Sequence, residues 1–242
     1  MTAPTFYEAA IAAFRAGDNA RTRELSEQAL ASARAAGSTA DEVEALSMLA
    51  RVALGDEDFQ LVEAVAGEAR DVARASGDQR LERVPLHMQA AAARLGGDPD
   101  RAAALYEESL ALNRRLGEAR MAVVEQRNLA YVRWHAGDDA SARELFAQAR
   151  DGGMTIRNEG DLPYLVADAA VIALMDGEYE RAAGLLGAAQ QAFNAAGQIP
   201  DPDDEAELQA LRRQLAAALG EEPFRKALEA PGIRADWNLL EN

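Results

Sequence analysis

Glycine followed by an acid recurs along this chain at nearly even intervals: Gly17-Asp18, Gly55-Asp56, Gly97-Asp98, Gly137-Asp138 and Gly177-Glu178. The steps between these corners are 38, 42, 40 and 40 residues. A fixed period of this length constrains the fold more than any local propensity does, because it marks units that cover one another's apolar faces in a stack. A second glycine set, Gly37, Gly77, Gly117, Gly152-Gly153 and Gly197, falls about half a period later, where residues that end helices are expected. Each period therefore reads as two helices.

The composition agrees with that reading. Hydrophobic residues make up 49% of the 242 positions but aromatics only 5%, so alanine carries much of the apolar content. Alanine favours helix and close helix approach, whereas a sheet protein would show β-branched runs. After the third corner, Ala102, Leu105, Tyr106, Ser109, Leu110 and Leu112 place small or apolar side chains at helical spacing. The expected first (A) helices lie near 3-16, 39-54, 82-96, 119-136 and 162-176. The second (B) helices lie near 18-36, 57-76, 98-116, 138-151 and 178-196, and an A-like helix follows at 203-219. Pro163 falls in a first turn, where proline is tolerated; Pro85 either delays its helix or kinks it.

The stretch NLAYVRWHAGDDASARELFAQA, residues 128–149, resembles the tetratricopeptide repeat. Ala130 matches the small residue of the first helix, Ala142 and Ala149 those of the second, and Leu129 and Phe146 the large packing partners. Ala90, Ala102, Tyr106 and Ser109 repeat the pattern, as do Ala170, Ala182, Leu186 and Ala189. Thr22 and Val62 stand where the family prefers alanine, the closing proline is missing, and the period is near forty instead of thirty-four. The resemblance implies an all-α, right-handed superhelical array of antiparallel helix pairs, with about five hairpins over residues 3-197. Residues 198-242 would form an acidic linker and C-terminal capping helices, Trp237 in the tail either covering the last pair or anchoring a second subunit. The segments AAGLLGAAQQAF, PDPDDEAE and LRRQLAAALGEEPFRKAL resemble the helical-repeat regions of large bacterial ATP-dependent transcriptional activators. Such activators carry a P-loop, but no GxxxxGK[ST] occurs and Lys226 is the only lysine, so this likeness implies a freestanding sensor or adaptor.

Chemistry is thinly represented. No cysteine is present, which removes disulfides, zinc thiolates and thiol nucleophiles. His87 and His135 lack an HExxH context or a spaced carboxylate set, and no GxSxG elbow occurs. The pairs Asp138-Asp139, Asp203-Asp204 and Glu221-Glu222 sit at helix starts or in a linker, where the helix dipole accounts for them. Phe6, Phe14, Met48, Phe59, Phe146 and Phe193 read as core. A net charge of −16 repels nucleic acid and anionic membranes, and no stretch approaches twenty unbroken apolar residues. The expectation is a cytoplasmic, non-enzymatic protein with no cofactor, no metal and no nucleic-acid or membrane partner.

In the resembled family, ligand contacts come from a stripe at i, i+4, i+7 on each A helix. Carried over, it runs through Ser47, Arg51 and Leu54; His87, Ala91 and Arg94; Arg127, Tyr131 and Trp134; and Ala167, Val171 and Leu174, with Tyr164 nearby. Asn128 falls where the family holds an extended peptide backbone. Arginine forks suit carboxylates and phosphates, and Tyr and Trp offer flat faces with a polar edge. The expected binding residues are thus Arg51, His87, Arg94, Arg127, Asn128, Tyr131, Trp134 and Tyr164, for a protein or peptide segment bearing an acidic group. The alternative is that these arginines pair with acids such as Glu44, Glu125 or Asp168 and only solvate an inner wall. Self-association as a homodimer, or sensing of a small anion in transcriptional regulation, are the further functional alternatives. Loss of binding without loss of stability is the expectation for both Arg127→Ala and Trp134→Ala.

Overall fold

The computed structural model describes residues 5–230 and 233–241. Among them are twelve α-helices and two short 3-10 turns, with no strand: α1 (Phe6–Arg15), α2 (Asn19–Ala36), α3 (Thr39–Gly55), α4 (Phe59–Ser76), α5 (Arg83–Leu95), α6 (Pro99–Leu116), α7 (Ala119–His135), α8 (Asp139–Ile156), α9 (Leu162–Met175), α10 (Tyr179–Ala196), α11 (Pro202–Leu219) and α12 (Glu221–Leu228). The 3-10 turns span Gln79–Glu82 and Trp237–Leu240. The chain forms two compact units, Met1–Glu118 and Ala119–Asn242. The described residues after 198, expected as linker and caps, belong to the second.

The period is more regular than the glycines suggest. Residues 17, 37, 57, 77, 97, 117, 137, 157, 177 and 197 all have positive φ, one every twenty residues. Eight are glycine; the other two are Glu57 and Arg157, held at φ 58° and 49°. Gly55, read from sequence as a corner, is the last residue of α3, and Glu57 makes the turn instead. Gly152-Gly153, read as a helix end, lies inside α8, which runs on to Ile156 and closes at Arg157. Those glycines serve packing: a Cβ on Gly153 would overlap the Leu165 side chain, and one on Gly152 the Val123 side chain. After the corners at 17, 57, 97 and 137 an aspartate caps the next helix, whereas Glu178, after 177, makes no side-chain cap. Asp18, Asp58, Asp98 and Asp138 accept the N–H of Arg21, Leu61, Arg101 and Ser141 at 2.9 to 3.2 Å, satisfying donors that the helix itself leaves open.

The first unit holds three hairpins, α1 with α2, α3 with α4 and α5 with α6. Ala90, Ala102, Tyr106 and Ser109 are all fully buried where helices meet. Thr22 is equally buried, and its hydroxyl donates to the Asp18 carbonyl at 2.7 Å, so this polar substitute for alanine satisfies its own hydrogen bond. Val62 fits without a polar group. Pro85 sits in the first turn of α5, where its missing N–H costs nothing; the 3-10 turn before it delays the helix. Phe6 is a correction to the expected core: as the first residue of α1 it stays 47% exposed. Ion pairs about one period apart, Arg34 with Glu68, Arg70 with Glu108 and Arg101 with Glu63, connect successive B helices.

The second unit contains α7 with α8, α9 with α10, and α11 with α12, around one continuous core that includes Ala130, Phe146, Ala170, Leu186, Phe193, Leu211 and Leu215. Gly184 and Gly187 on α10 let the end of α12 and Ile233 approach; a Cβ on Gly187 would overlap the Leu228 carbonyl. The tail returns to the turn before α9. Leu240 is buried there, Trp237 Nε1 donates to Glu159 Oε1 at 2.9 Å, and Arg157 pairs with Glu241 at 3.2 Å.

Candidate functional site

In the first unit, two of the expected residues share one partner. His87, on α5, meets the Tyr106 ring edge-on at 6.1 Å between centroids, and Arg94 Nε donates to the Tyr106 hydroxyl at 3.3 Å. Tyr106 comes from α6 and is fully buried. Arg51 is elsewhere in the unit, its guanidinium lying 5.5 Å from the centre of the Phe14 ring. These side chains rest on aromatic surface of neighbouring helices, where an arginine stem and a cation over a ring face both contribute.

In the second unit the expected residues gather. Helix α7 is unusual: every residue from Glu125 to Val132 is buried, including Glu125, Gln126, Arg127 and Asn128. A helix so enclosed is normally apolar, and polar groups buried there must be paired to offset desolvation. Gln126 donates to Gln148 at 2.9 Å, and Glu125 and Asn128 are both partnered. Arg127, only 4% exposed, places Nε 2.6 Å and Nη2 3.0 Å from the two oxygens of Asp168 on α9. Its Nη2 also donates to Asp204 on α11 at 3.3 Å, and the guanidinium lies 5.0 Å from the centre of the Tyr164 ring. The Tyr131 hydroxyl donates to Asp168 at 3.0 Å, while its ring packs edge-on against Phe146 at 5.2 Å.

The cluster extends along α7. Trp134 is half-buried, 6.4 Å from Tyr131 and 4.8 Å from the ring of His135. His135 Nε2 in turn lies 2.7 Å from Glu207 of α11. Tyr164 stands edge-on to Phe193 at 4.8 Å. Burial would push the Arg127 guanidinium down, but the Asp168 and Asp204 carboxylates override it and hold the cation above its ordinary range. Burial, with added repulsion from neighbouring aspartates, pushes the phenols of Tyr131 and Tyr164 up, so both stay neutral well into alkali.

A small cleft opens between Arg120, Val123 and Arg127 of α7, Asp161 and Tyr164 at the start of α9, and Asp201 and Asp204 at the start of α11, with room for about 80 Å³. That volume suits one side-chain head, well below the few hundred Å³ that small-molecule pockets enclose. Arg120 closes one side by a two-pronged pair with Asp161, at 2.6 to 2.9 Å. Carboxylates outnumber guanidinium groups around the cleft. Among the described residues no group of three His, Asp or Glu is placed to hold a metal, and no helix is long and apolar enough to cross a membrane.

Of the eight expected residues, Arg127, Asn128, Tyr131, Trp134 and Tyr164 thus belong to the second unit, and Arg51, His87 and Arg94 to the first. Arg127 makes the ion pair with Asp168 that the solvated-wall alternative named, but does so in a buried setting. Removing it would strand Asp168, so the structure predicts a loss of stability for Arg127→Ala in place of the unchanged stability expected from the sequence. Sequence reasoning missed the acids of α11. Asp203 and Asp204 read as acids of a helix start or linker, and Glu207 as part of the acidic linker PDPDDEAE, yet all three are buried. The signal available was their position: Asp204 and Glu207 are three apart and share one helix face with Leu208 and Leu211.

No family model and no curated protein matches the sequence. Among solved structures the chain is similar to BtubC (BKLC) from P. vanneervenii, at 20% identity and a TM-score of 0.62 over 86% of each chain. It is also similar to a Rap protein complexed with competence and sporulation factor, at 15% identity and a TM-score of 0.71; the match covers 92% of this chain and 61% of the Rap chain. The apo form of RapI matches at 10% identity and a TM-score of 0.64, over 88% of this chain and 82% of that one. At these identities the likeness concerns the fold. The chain is an all-α helical-repeat protein whose helices pack in adjacent pairs, as in the tetratricopeptide-like Rap structures.

Proposed function

We propose that this protein is a non-enzymatic adaptor that binds a segment of a partner protein on the A-helix face of its second unit. The observation that carries the reading is the grouping of Arg127, Tyr131, Trp134 and Tyr164 on α7 and α9, beside a cleft sized for a single side chain. Aromatic faces with fixed polar groups at their edges bind peptide side chains at low conformational cost. A similarly folded Rap protein complexed with competence and sporulation factor supports the same use of the fold. Trp134 is the residue to test, because it is half-buried and its side chain carries no charge whose loss would strand a buried partner.

The experiment is selection of binders from a random twelve-residue peptide library on the immobilised full chain, followed by fluorescence anisotropy with enriched peptides. Trp134→Ala should weaken binding at least tenfold while the melting temperature moves by only a few degrees. Enriched peptides that bind the wild type and Trp134→Ala equally would overturn the site, and a library that yields no binder would overturn the function.

A further inference from the structure

Helix α11 is built in two halves of opposite character. Its later turns seat Leu208, Leu211 and Leu215 in the core of the second unit. Its first turns, PDDEAE at 202–207, seat charge: Asp203, Asp204 and Glu207 are buried. First-turn acids ordinarily stay in water, where the helix dipole favours them modestly. Burying a carboxylate costs several kcal/mol unless a counter-charge meets it. Two groups of α7, Arg127 and His135, meet these acids on the binding face described above. Arg127 reaches Asp204 at 3.3 Å, and His135, next to Trp134, reaches Glu207 at 2.7 Å.

The chain's own acids thus lie on the surface that a ligand would use. Asp201 and Asp204 also supply two of the three carboxylates that rim the cleft. With Asp168, which pairs with Arg127 behind the rim, four carboxylates meet Arg120 and Arg127; without Asp201 and Asp204 two anions remain against two cations, and the site loses its surplus of negative charge. The seat is polar, so its hold weakens when another anion competes, whereas the leucine half keeps α11 attached. The flanks allow such local release. Pro200 and Pro202 bracket Asp201 in front, and Gly220, at φ 83°, separates α11 from α12 behind.

Resting on the adaptor reading above, we propose that residues 202–207 are a built-in stand-in for the partner. The partner segment is itself acidic, an acid-rich helix start or peptide, and it binds by replacing this turn over Arg127, His135 and Tyr164. Charge complementarity selects the partner, and the intramolecular copy sets a threshold that weak or non-acidic segments do not pass.

The test uses a fluorescent peptide of residues 201–212, DPDDEAELQALR, and a control with its Asp and Glu residues replaced by Lys. The full-length variant carrying Asp204→Ala and Glu207→Ala should bind the acidic probe at least tenfold more tightly than the wild type does, with affinity falling as salt rises. Equal binding of acidic and lysine probes, or no gain in the variant, would overturn the proposal. Library peptides that bind through Trp134 without any acidic preference would overturn it while leaving the adaptor reading intact. Light scattering on the same variant should report a monomer; a dimer would overturn it in favour of a second copy's α11 as the occupant. Should the variant fold poorly, hydrogen exchange on the wild type decides. Saturating acidic probe should speed exchange at amides 205–208 and spare 211–216, and a probe that leaves 205–208 unchanged overturns the proposal.

Discussion

Arg127 and Asp168 meet through two parallel hydrogen bonds of 2.6 and 3.0 Å, both side chains buried, with the Tyr131 hydroxyl on the same carboxylate. The pair is paid for on both sides by desolvation, so its value lies in completeness. Removing one member leaves the other charged in a dry site. Arg127→Ala should therefore cost about 3–5 kcal/mol. The double change Arg127→Met with Asp168→Leu should recover most of that loss. Urea denaturation of the three proteins checks this, and a double variant no more stable than Arg127→Ala would show that the pair is not an isolated unit.

Tyr131 and Tyr164 make stability depend on alkali. The folded chain keeps both phenols neutral, because burial and neighbouring aspartates raise them, whereas in the unfolded chain they ionise near the free value of about 10. Raised groups contribute stability that is present in full below that pH. Above it the unfolded state releases protons that the folded state retains, and stability falls by about 1.4 kcal/mol per pH unit for each phenol. Denaturation between pH 8 and 11.5 should show this decline, and Tyr131→Phe and Tyr164→Phe should each make it shallower. A slope unchanged by either substitution would contradict the assignment.

Glu57 occupies a left-handed turn position that glycine fills at eight of the ten equivalent sites, and its side chain is exposed. The strain costs a non-glycine residue about 1–2 kcal/mol, and glycine returns part of the gain as unfolded-state entropy. Glu57→Gly should raise stability by about 0.5–1 kcal/mol. The readout is the midpoint of a urea titration; a lower midpoint would mean that the turn is not strained.

Two glycines inside helices should respond unequally to alanine. At Gly187 the added methyl would strike the Leu228 carbonyl, which is backbone and cannot rotate away. At Gly153 it would strike the tip of the Leu165 side chain, which can. Gly187→Ala should cost about 2–3 kcal/mol and Gly153→Ala about 1 kcal/mol or less. Thermal unfolding monitored by circular dichroism ranks the two, and a reversed order would refute the packing described for α10 against α12.

Much of the architecture was legible before any coordinates. Alanines such as Ala90, Ala102, Ala130 and Ala142 are spaced by close helix contact, and that spacing survives in the sequence. The corners at 57 and 157 were not legible, because glycine marks a left-handed turn only where it is present. The chain forces Glu57 and Arg157 into the same conformation, and Gly55 and Gly152-Gly153 drew the reading to the wrong residues. The stripe on α7 was correctly drawn together, but its electrostatic setting was hidden. The acids that meet Arg127 and His135 come from 41 to 77 positions further along, and no local pattern reports a contact at that range.

The twenty-residue beat of left-handed turns has an arithmetic consequence. Excising residues 58–97 would join Glu57 to Asp98, once again a left-handed residue followed by a capping aspartate. Splicing in a forty-residue block at the same point would recreate that joint at both of its ends. Growth or shortening by whole periods leaves the grammar of every junction unaltered, so duplication or loss of a period requires no new bend.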